Sequence, residues 1–344
     1  MTGTEKVQLI KFDIDGYLRD GEATIAKRKD VEAVADKIHD EGYENIFLLG
    51  IGGTYDELDM VRYFMNKYSD VEVHLVNAAE FNVLGNNRLK KDSVVITASA
   101  SGDTKEVVEA VRTISAEGIR VVAFTKPDTP LGKLASTVIA APTITGRCDY
   151  TYMLFDTLFL RLLNRRGEFD SYERFLDQTK NIYRDLVDIR IKFEDKADAI
   201  AARFADEPYT IFTGSGALWG EVVLFSMCVL EEMQWVRTRA VTSAEFFHGT
   251  LELVEPGVPV VVVKGEDECR ALDNRVEAFC EQHTDKLAVV DTAEYAIDGL
   301  DPEFRELVSP IIATATLHER LSKHYEAYTK HNLDYRRYYR QFSY

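Results

Sequence analysis

Short apolar runs recur along the chain, each followed by a longer amphipathic stretch. In the first half they are "NIFLLG" (45–50), "VEVHLVNA" (71–78), "SVVITAS" (93–99), "RVVAFTK" (120–126) and "STVIAA" (136–141). Most are rich in Val and Ile and lack polar alternation, the pattern of strands covered on both faces. The stretch "TKEVVEAVRTISAEG" (104–118), opened by Thr104 and closed by Gly118, reads as one of the helices between them. Alternation of this kind implies a doubly wound parallel-sheet α/β domain. The segment "YTYMLFDTLFLRLLN" (150–164) reads as an apolar helix packed across the sheet. The second half repeats the pattern with candidate strands "YTIFTGSG" (209–216), "VPVVVV" (258–263), "KLAVVDT" (286–292) and "LVSPIIATATL" (307–317).

With 344 residues, 46% of them hydrophobic, the chain can bury two cores. The charged stretch "RRGEFDSYERF" (165–175) marks a break. The expected division is an N-terminal arm (1–27), a first domain (28–168), a second domain (169–327) and an aromatic, basic tail (328–344). Halves of similar length and pattern suggest an internal duplication.

Charge narrows the function. Fifty-eight acidic residues against 41 basic ones leave a net charge of −17, which argues against nucleic acid and anionic membrane surfaces as partners. No apolar stretch reaches the ~18 residues of a membrane span, and "MTGTEKVQLIKFDIDGYL" does not read as a signal peptide. Cys148, Cys228, Cys269 and Cys280 form no C-x-x-C pair and read as reduced structural thiols. The expectation is a soluble, cytoplasmic protein. The seven histidines show no ligand spacing, so neither a metal nor another cofactor is expected.

Two loops that follow predicted strands stand out. In "LGIGGTYDE" (49–57), Gly52 and Gly53 allow a ligand close to the backbone, and Thr54 adds a hydroxyl at a helix start. In "TASASGDTKEVVEA" (97–110), Ser99, Ser101 and Thr104 surround Gly102, again just before a helix. Backbone N–H groups and hydroxyls at a helix N-terminus can hold a phosphate without lysine. On neighbouring strands such loops converge where open α/β sheets bind ligands.

"GIGGT" and "SASGDT", in that order, resemble the two phosphosugar-binding loops of the sugar isomerase (SIS) domain family. The resemblance implies that Thr54, Ser99, Ser101 and Thr104 hold a sugar phosphate. Ala100 stands where family members commonly carry Gln. The second half, "GSGALWGEVVLFSMCVLEEMQW…AEFFHGTLEL", is similar to the second SIS domain of the glucosamine-6-phosphate synthase isomerase and its deglycase relatives. In that family a Glu moves a proton between C1 and C2 of the open-chain sugar. A His sixteen residues later opens the ring or serves as a second acid–base group; in the synthase it comes from the neighbouring subunit. The matching residues are Glu232 and His248. The tail residues His331, Leu333, Arg336, Arg337 and Tyr338 match the His-x-Leu-x-x-Arg-Arg-Tyr ending of the fructosamine-6-phosphate deglycases. Tyr335 falls near the place of the synthase's tail lysine.

Chemistry agrees with that pairing. Proton transfer next to a carbonyl needs a base poised near neutrality, and Glu232 follows the apolar "VVLFSMCVL" to the edge of a buried site. The resemblance implies two tandem SIS domains and a homodimer or larger assembly with shared sites. It also implies a deglycase that cleaves a phosphorylated Amadori adduct to glucose 6-phosphate and an amine. An aldose–ketose phosphosugar isomerase, an amino-sugar phosphate deaminase and a non-catalytic phosphosugar-binding regulator remain the alternatives.

Overall fold

The structure, a computed structural model, describes residues 9–140 and 147–342. The five apolar runs of the first half become β1 (Asn45–Gly50), β2 (Glu72–Asn77), β3 (Val94–Ala98), β4 (Arg120–Phe124) and β5 (Thr137–Ile139). They form one parallel sheet in the order β2-β1-β3-β4-β5. Helices cover both faces, which is why β1, β3 and most of β4 carry no polar alternation. Phe47 and Leu49 share one face with Val107, Val111 and Ile114 of the helix Lys105–Ala116. On the other face Phe124 packs edge-on against Phe155 of the buried helix Cys148–Arg165, and Phe64 stacks on Phe159 of the same helix.

A second sheet is built from β6 (Thr210–Gly214), β7 (Thr238–Thr242), β8 (Val260–Lys264) and β9 (Leu287–Asp291), all parallel, in the order β7-β6-β8-β9. Its order repeats that of the first four strands, as a duplicated unit would. The described residues fall into two compact units. One is Leu18–Lys180; the other comprises the residues up to Tyr17 together with those from Asn181 onward. Ala141 at the end of the expected fifth strand, residues 1–8 of the expected arm and residues 343–344 of the expected tail lie outside the described residues.

One expectation fails and one strand was not foreseen, each for a physical reason. "LVSPIIATATL" is a helix, Arg305–Thr316, with Pro310 inside it. Every residue from Leu307 to Thr316 is buried. A helix buried on all faces has no 3.6-residue polar rhythm, so its apolar run mimics a buried strand. Conversely, β7 has no counterpart among the candidate strands. "TRAVT" is an edge strand with one buried residue, and the charged Arg239 within it hides the pattern.

In the second unit the start of the described chain is tied down by a buried ion pair. Arg320, fully buried, donates Nε to Glu194 Oε2 (2.6 Å) and Nη2 to the Ile10 carbonyl (2.8 Å), while Ile10 N–H donates to Glu194 Oε1 (3.2 Å). His324 lies between Glu194 and Asp198, 3.2 and 3.1 Å away, and so has a structural setting. Among the described residues no helix is long and apolar enough to cross a membrane.

Candidate active site

In the first sheet the chain leaves β1 for β2 on one side and returns to β3 on the other. The crevice between β1 and β3 is therefore the topological switch point, where open α/β sheets bind ligands. Both loops singled out above end there. Gly52, with φ +56°, precedes the helix Gly53–Tyr68, and a side chain added to it would meet open space. Thr54, on the first turn, donates its hydroxyl to the Ile51 carbonyl (3.1 Å). From the β3 side, buried Ser99 accepts the Gly102 N–H (2.9 Å), and its Oγ lies 3.2 Å from Thr104 Oγ1. Gly102 has φ +67°, and a Cβ there would lie 2.3 Å from Thr129 Oγ1. Only glycine closes this turn.

Thr54 and Ser99 line one small cavity of about 30 Å³, together with Glu57, Ala100 and Thr151. Gly52, Gly53, Ser101 and Thr104 are not among its lining residues, and Ser101 is exposed. Sequence reasoning missed Glu57 and Thr151. Glu57 lies three residues after Thr54 on the same helix, so the two share a face. Thr151 belongs to the helix Cys148–Arg165, and nothing local in the sequence joins it to the loops.

The second sheet has the same crevice, between β6 and β8, but a carboxylate fills it. Buried Asp267 accepts the N–H groups of Ala217 (3.0 Å) and Cys269 (2.7 Å). A Cβ on Gly216, φ +60°, would lie 2.4 Å from Asp267 Oδ1. The donors that could take a phosphate are already engaged. Beneath them Asp273 accepts hydroxyl bonds from Ser215 (2.7 Å) and Ser243 (2.6 Å). Burial pushes its carboxyl up to about 6, the two serine hydrogen bonds act against the rise, and Asp267 adds to it. A carboxyl with a folded pKa above its unfolded value adds stability that is complete below the unfolded pKa and is lost as pH rises through the folded one. From about pH 4 to about pH 7 this group is expected to lower stability by about 2–3 kcal/mol. Asp273→Asn should flatten that part of the curve. Urea unfolding of both proteins at the two pH values measures it, and an unchanged slope would refute the assignment.

Glu232 is positioned by an irregular helix. After Trp219–Leu224 the chain widens into a π-helix, Phe225–Glu231, and the Glu232 N–H reaches back five residues to the Met227 carbonyl. Such widened turns recur at functional sites. The segment stops at Trp235, a non-glycine residue with φ +56°, a conformation that costs about 1–3 kcal/mol. The tail secures this end. Gln234 donates to the His331 carbonyl (2.6 Å) and accepts from Thr329 Oγ1 (2.7 Å). Trp235 packs against His331 (ring centroids 4.2 Å apart) and the Arg337 guanidinium (4.1 Å from the ring centroid). Arg336 donates Nε to Glu232 Oε1 (2.8 Å) and Nη1 to the carbonyls of Leu333 and Tyr335. Among the described residues Glu232 Oε2 accepts no hydrogen bond.

Glu232 faces a cavity of about 690 Å³, with Trp235, Arg237, Arg336, Arg337 and Tyr338 among its walls. His248 is exposed, on a short turn before Gly249, and does not line it. Tyr335, 57% exposed, lies outside it as well, with its ring edge-on to His331. Among the described residues no group of three or more His, Cys, Asp or Glu side chains is arranged to hold a metal ion.

Residues 38–161, which contain both loops of the β1–β3 crevice, match the family model of the SIS domain. The match covers the first sheet's unit and not the rest of the chain. This protein is 28% identical to the fructosamine deglycase of Bacillus subtilis, over 92% of this chain and 98% of that one. It is 27% identical to the fructoselysine 6-phosphate deglycase of Escherichia coli, over 90% of this chain and 89% of that one. A solved structure from Bacillus subtilis, described as a candidate phosphosugar isomerase, superposes with a TM-score of 0.85 at 25% identity. It covers 93% of this chain and 99% of that one.

Proposed function

We propose that this chain belongs to the SIS-domain family and hydrolyses phosphorylated Amadori adducts, such as fructoselysine 6-phosphate, to glucose 6-phosphate and a free amine or amino acid. The observation that carries the proposal is its end-to-end likeness to two deglycases. An Amadori adduct has an amine on C1 and a ketone at C2. In this reading Glu232 removes a proton from C1 while the C2 oxygen is protonated, giving an enaminol. Return of a proton to C2 leaves an imine at C1. Water adds to the imine, the C–N bond breaks, and the aldehyde sugar phosphate and the amine depart. Thr54, Ser99, Ser101 and Thr104, with the Gly52–Gly53 backbone, hold the phosphate. Tyr335 borders the substrate from the tail. His248 opens the sugar ring or assists the hydrolytic step, and its exposure suits service to a second copy of the chain. Light scattering that found only monomers would remove that role.

The reaction is tested by incubating the protein with fructoselysine 6-phosphate and coupling to glucose-6-phosphate dehydrogenase. The expected result is NADPH formation together with free lysine. Interconversion of fructose 6-phosphate and glucose 6-phosphate, with no lysine released, would replace the deglycase by an isomerase. Thr54→Val, which keeps the shape and removes one donor to the phosphate, should raise KM about 10–100-fold, the worth of one hydrogen bond to a charged group. Steady-state kinetics checks this, and an unchanged KM would take Thr54 out of the phosphate site.

A further inference from the structure

Glu232 and Arg336 make only half of the pairing that their shapes allow. A carboxylate and the side edge of a guanidinium can join through two parallel hydrogen bonds, with Nε and Nη2 each donating to one oxygen. Here Nε alone donates, to Oε1 at 2.8 Å. Nη1 donates to backbone carbonyls of its own segment, Leu333 (2.7 Å) and Tyr335 (2.9 Å). Among the described residues Nη2 has no acceptor and Glu232 Oε2 has no donor. Both side chains line the cavity of about 690 Å³ and are only partly exposed, 18% for Arg336 and 29% for Glu232. An unmade hydrogen bond on a cation in such a place costs free energy unless water or a ligand completes it. The guanidinium is also held against swinging away. Leu333, whose carbonyl it binds, is buried, and the Leu333 N–H donates to Glu326 Oε1 (3.3 Å).

Resting on the reading in which Glu232 takes the proton from C1, we infer that Arg336 is a second catalytic residue, whose Nη2 donates a hydrogen bond to the C2 oxygen as negative charge develops there. C1 and C2 are adjacent carbons, and the two open positions, Oε2 and Nη2, belong to side chains already joined at 2.8 Å. In this step the C1–H electron pair becomes the C1–C2 double bond, the carbonyl π pair moves onto the C2 oxygen, and the proton passes to Glu232. The enaminolate oxygen then takes a proton from water, because a guanidinium is too weak an acid to give one. Arg336 contributes charge and a fixed donor rather than a proton. A donor aimed at developing charge, and held there before the reaction begins, needs no rearrangement during it; one such donor is worth about 10²–10³-fold in kcat. With a net charge of −17 the chain as a whole does not favour an anion, so the stabilisation has to be local.

Two ligands that share a phosphate and a carbon chain test this. Arabinonohydroxamic acid 5-phosphate ends in a planar hydroxamate that carries negative charge where the enaminolate does. Arabinitol 5-phosphate ends in a neutral alcohol. Both affinities are measured by calorimetry on Glu232→Gln, so that the charge of the base does not enter. The hydroxamate is expected to bind about 10–100-fold more tightly, the worth of a charge-assisted contact. Adding Arg336→Gln should bring the ratio close to one, and Arg336→Lys, which keeps the charge without the fork, should keep part of it. A loss of binding common to both ligands, as from a displaced tail, cancels in the ratio. With Glu232 intact, Arg336→Gln should lower kcat for fructoselysine 6-phosphate about 10²–10³-fold with KM little changed. If Arg336 only positions Glu232, kcat falls but the hydroxamate ratio survives; that result, or an unchanged kcat, would overturn the assignment. The two readings fail differently. A ratio that depends on Arg336, without cleavage of the adduct by the unaltered protein, keeps the anion-holding role and removes the deglycase, whereas cleavage with a ratio indifferent to Arg336 does the opposite.

Discussion

Replacing Glu232 by Gln is expected to lower turnover of a phosphorylated Amadori adduct by about 10²–10⁴-fold, the usual worth of a positioned acid–base group. The substitution is chosen because the amide oxygen can still accept from Arg336 Nε, now 2.8 Å from Oε1. The tail and the cavity walls therefore keep their positions, and only the proton-accepting oxygen is lost. The Glu232 side chain is 29% exposed, so the fold loses little. Binding of glucose 6-phosphate should persist, because the hydroxyls proposed to hold it belong to the loops after β1 and β3. Calorimetry with glucose 6-phosphate and a coupled turnover assay separate the two effects. A variant that kept more than a tenth of the original kcat would end the proposal that this carboxylate transfers the proton.

Gly102→Ala is expected to disable, from within, the loop proposed to hold the phosphate. Two penalties coincide. The backbone is at φ +67°, which L side chains rarely adopt, and the new Cβ would lie 2.3 Å from Thr129 Oγ1 and 2.4 Å from Thr129 Cβ. Thr129 cannot easily move aside. Its hydroxyl accepts the Gly132 N–H and donates to the Lys126 carbonyl, capping the helix Pro130–Leu134. Positive-φ strain and overpacking together should cost roughly 2–4 kcal/mol, which lowers the melting temperature by roughly 5–15 °C for a unit of this size. The loop must also shift, and Ser99, which accepts the Gly102 N–H at 2.9 Å, shifts with it. The affinity for glucose 6-phosphate should therefore fall by more than the single-hydroxyl variant predicts. Scanning calorimetry and a binding titration check the two halves. Ordinary stability with unchanged binding would mean that the turn tolerates a side chain.

How much of this was legible in advance depended on what each segment is buried against. Eight of the nine strands among the described residues coincide with runs of Val, Ile and their neighbours that were visible in the chain; the signal is clearest at β1, β3 and β8, because a strand covered on both faces must be apolar throughout. The same rule misled at residues 307–317, where a helix buried on every side gives an identical signal. It was silent at β7, an edge strand with one buried residue. The hydroxyl and glycine pattern of the two loops was readable because each loop is local: strand, turn and helix start follow one another in sequence.

The walls of the larger cavity were only partly readable. Glu232, Arg336 and Arg337 stood out one by one, but more than a hundred residues separate the glutamate from the arginines. Nothing in the linear chain says that Arg336 would donate to Glu232, or that Arg337 would lie on Trp235.

By itself, then, the amino-acid order determined the parallel α/β class, the repeated halves and the two glycine- and hydroxyl-bearing turns after β1 and β3, since these follow from short-range periodicity and turn chemistry. Only the tertiary structure decided that Asp267 fills one of the two equivalent crevices, that Thr54 and Ser99 line one cavity, and that Arg336 donates to Glu232. Those facts rest on contacts between distant segments, and such contacts are set by how helices and sheets pack, which no local pattern encodes.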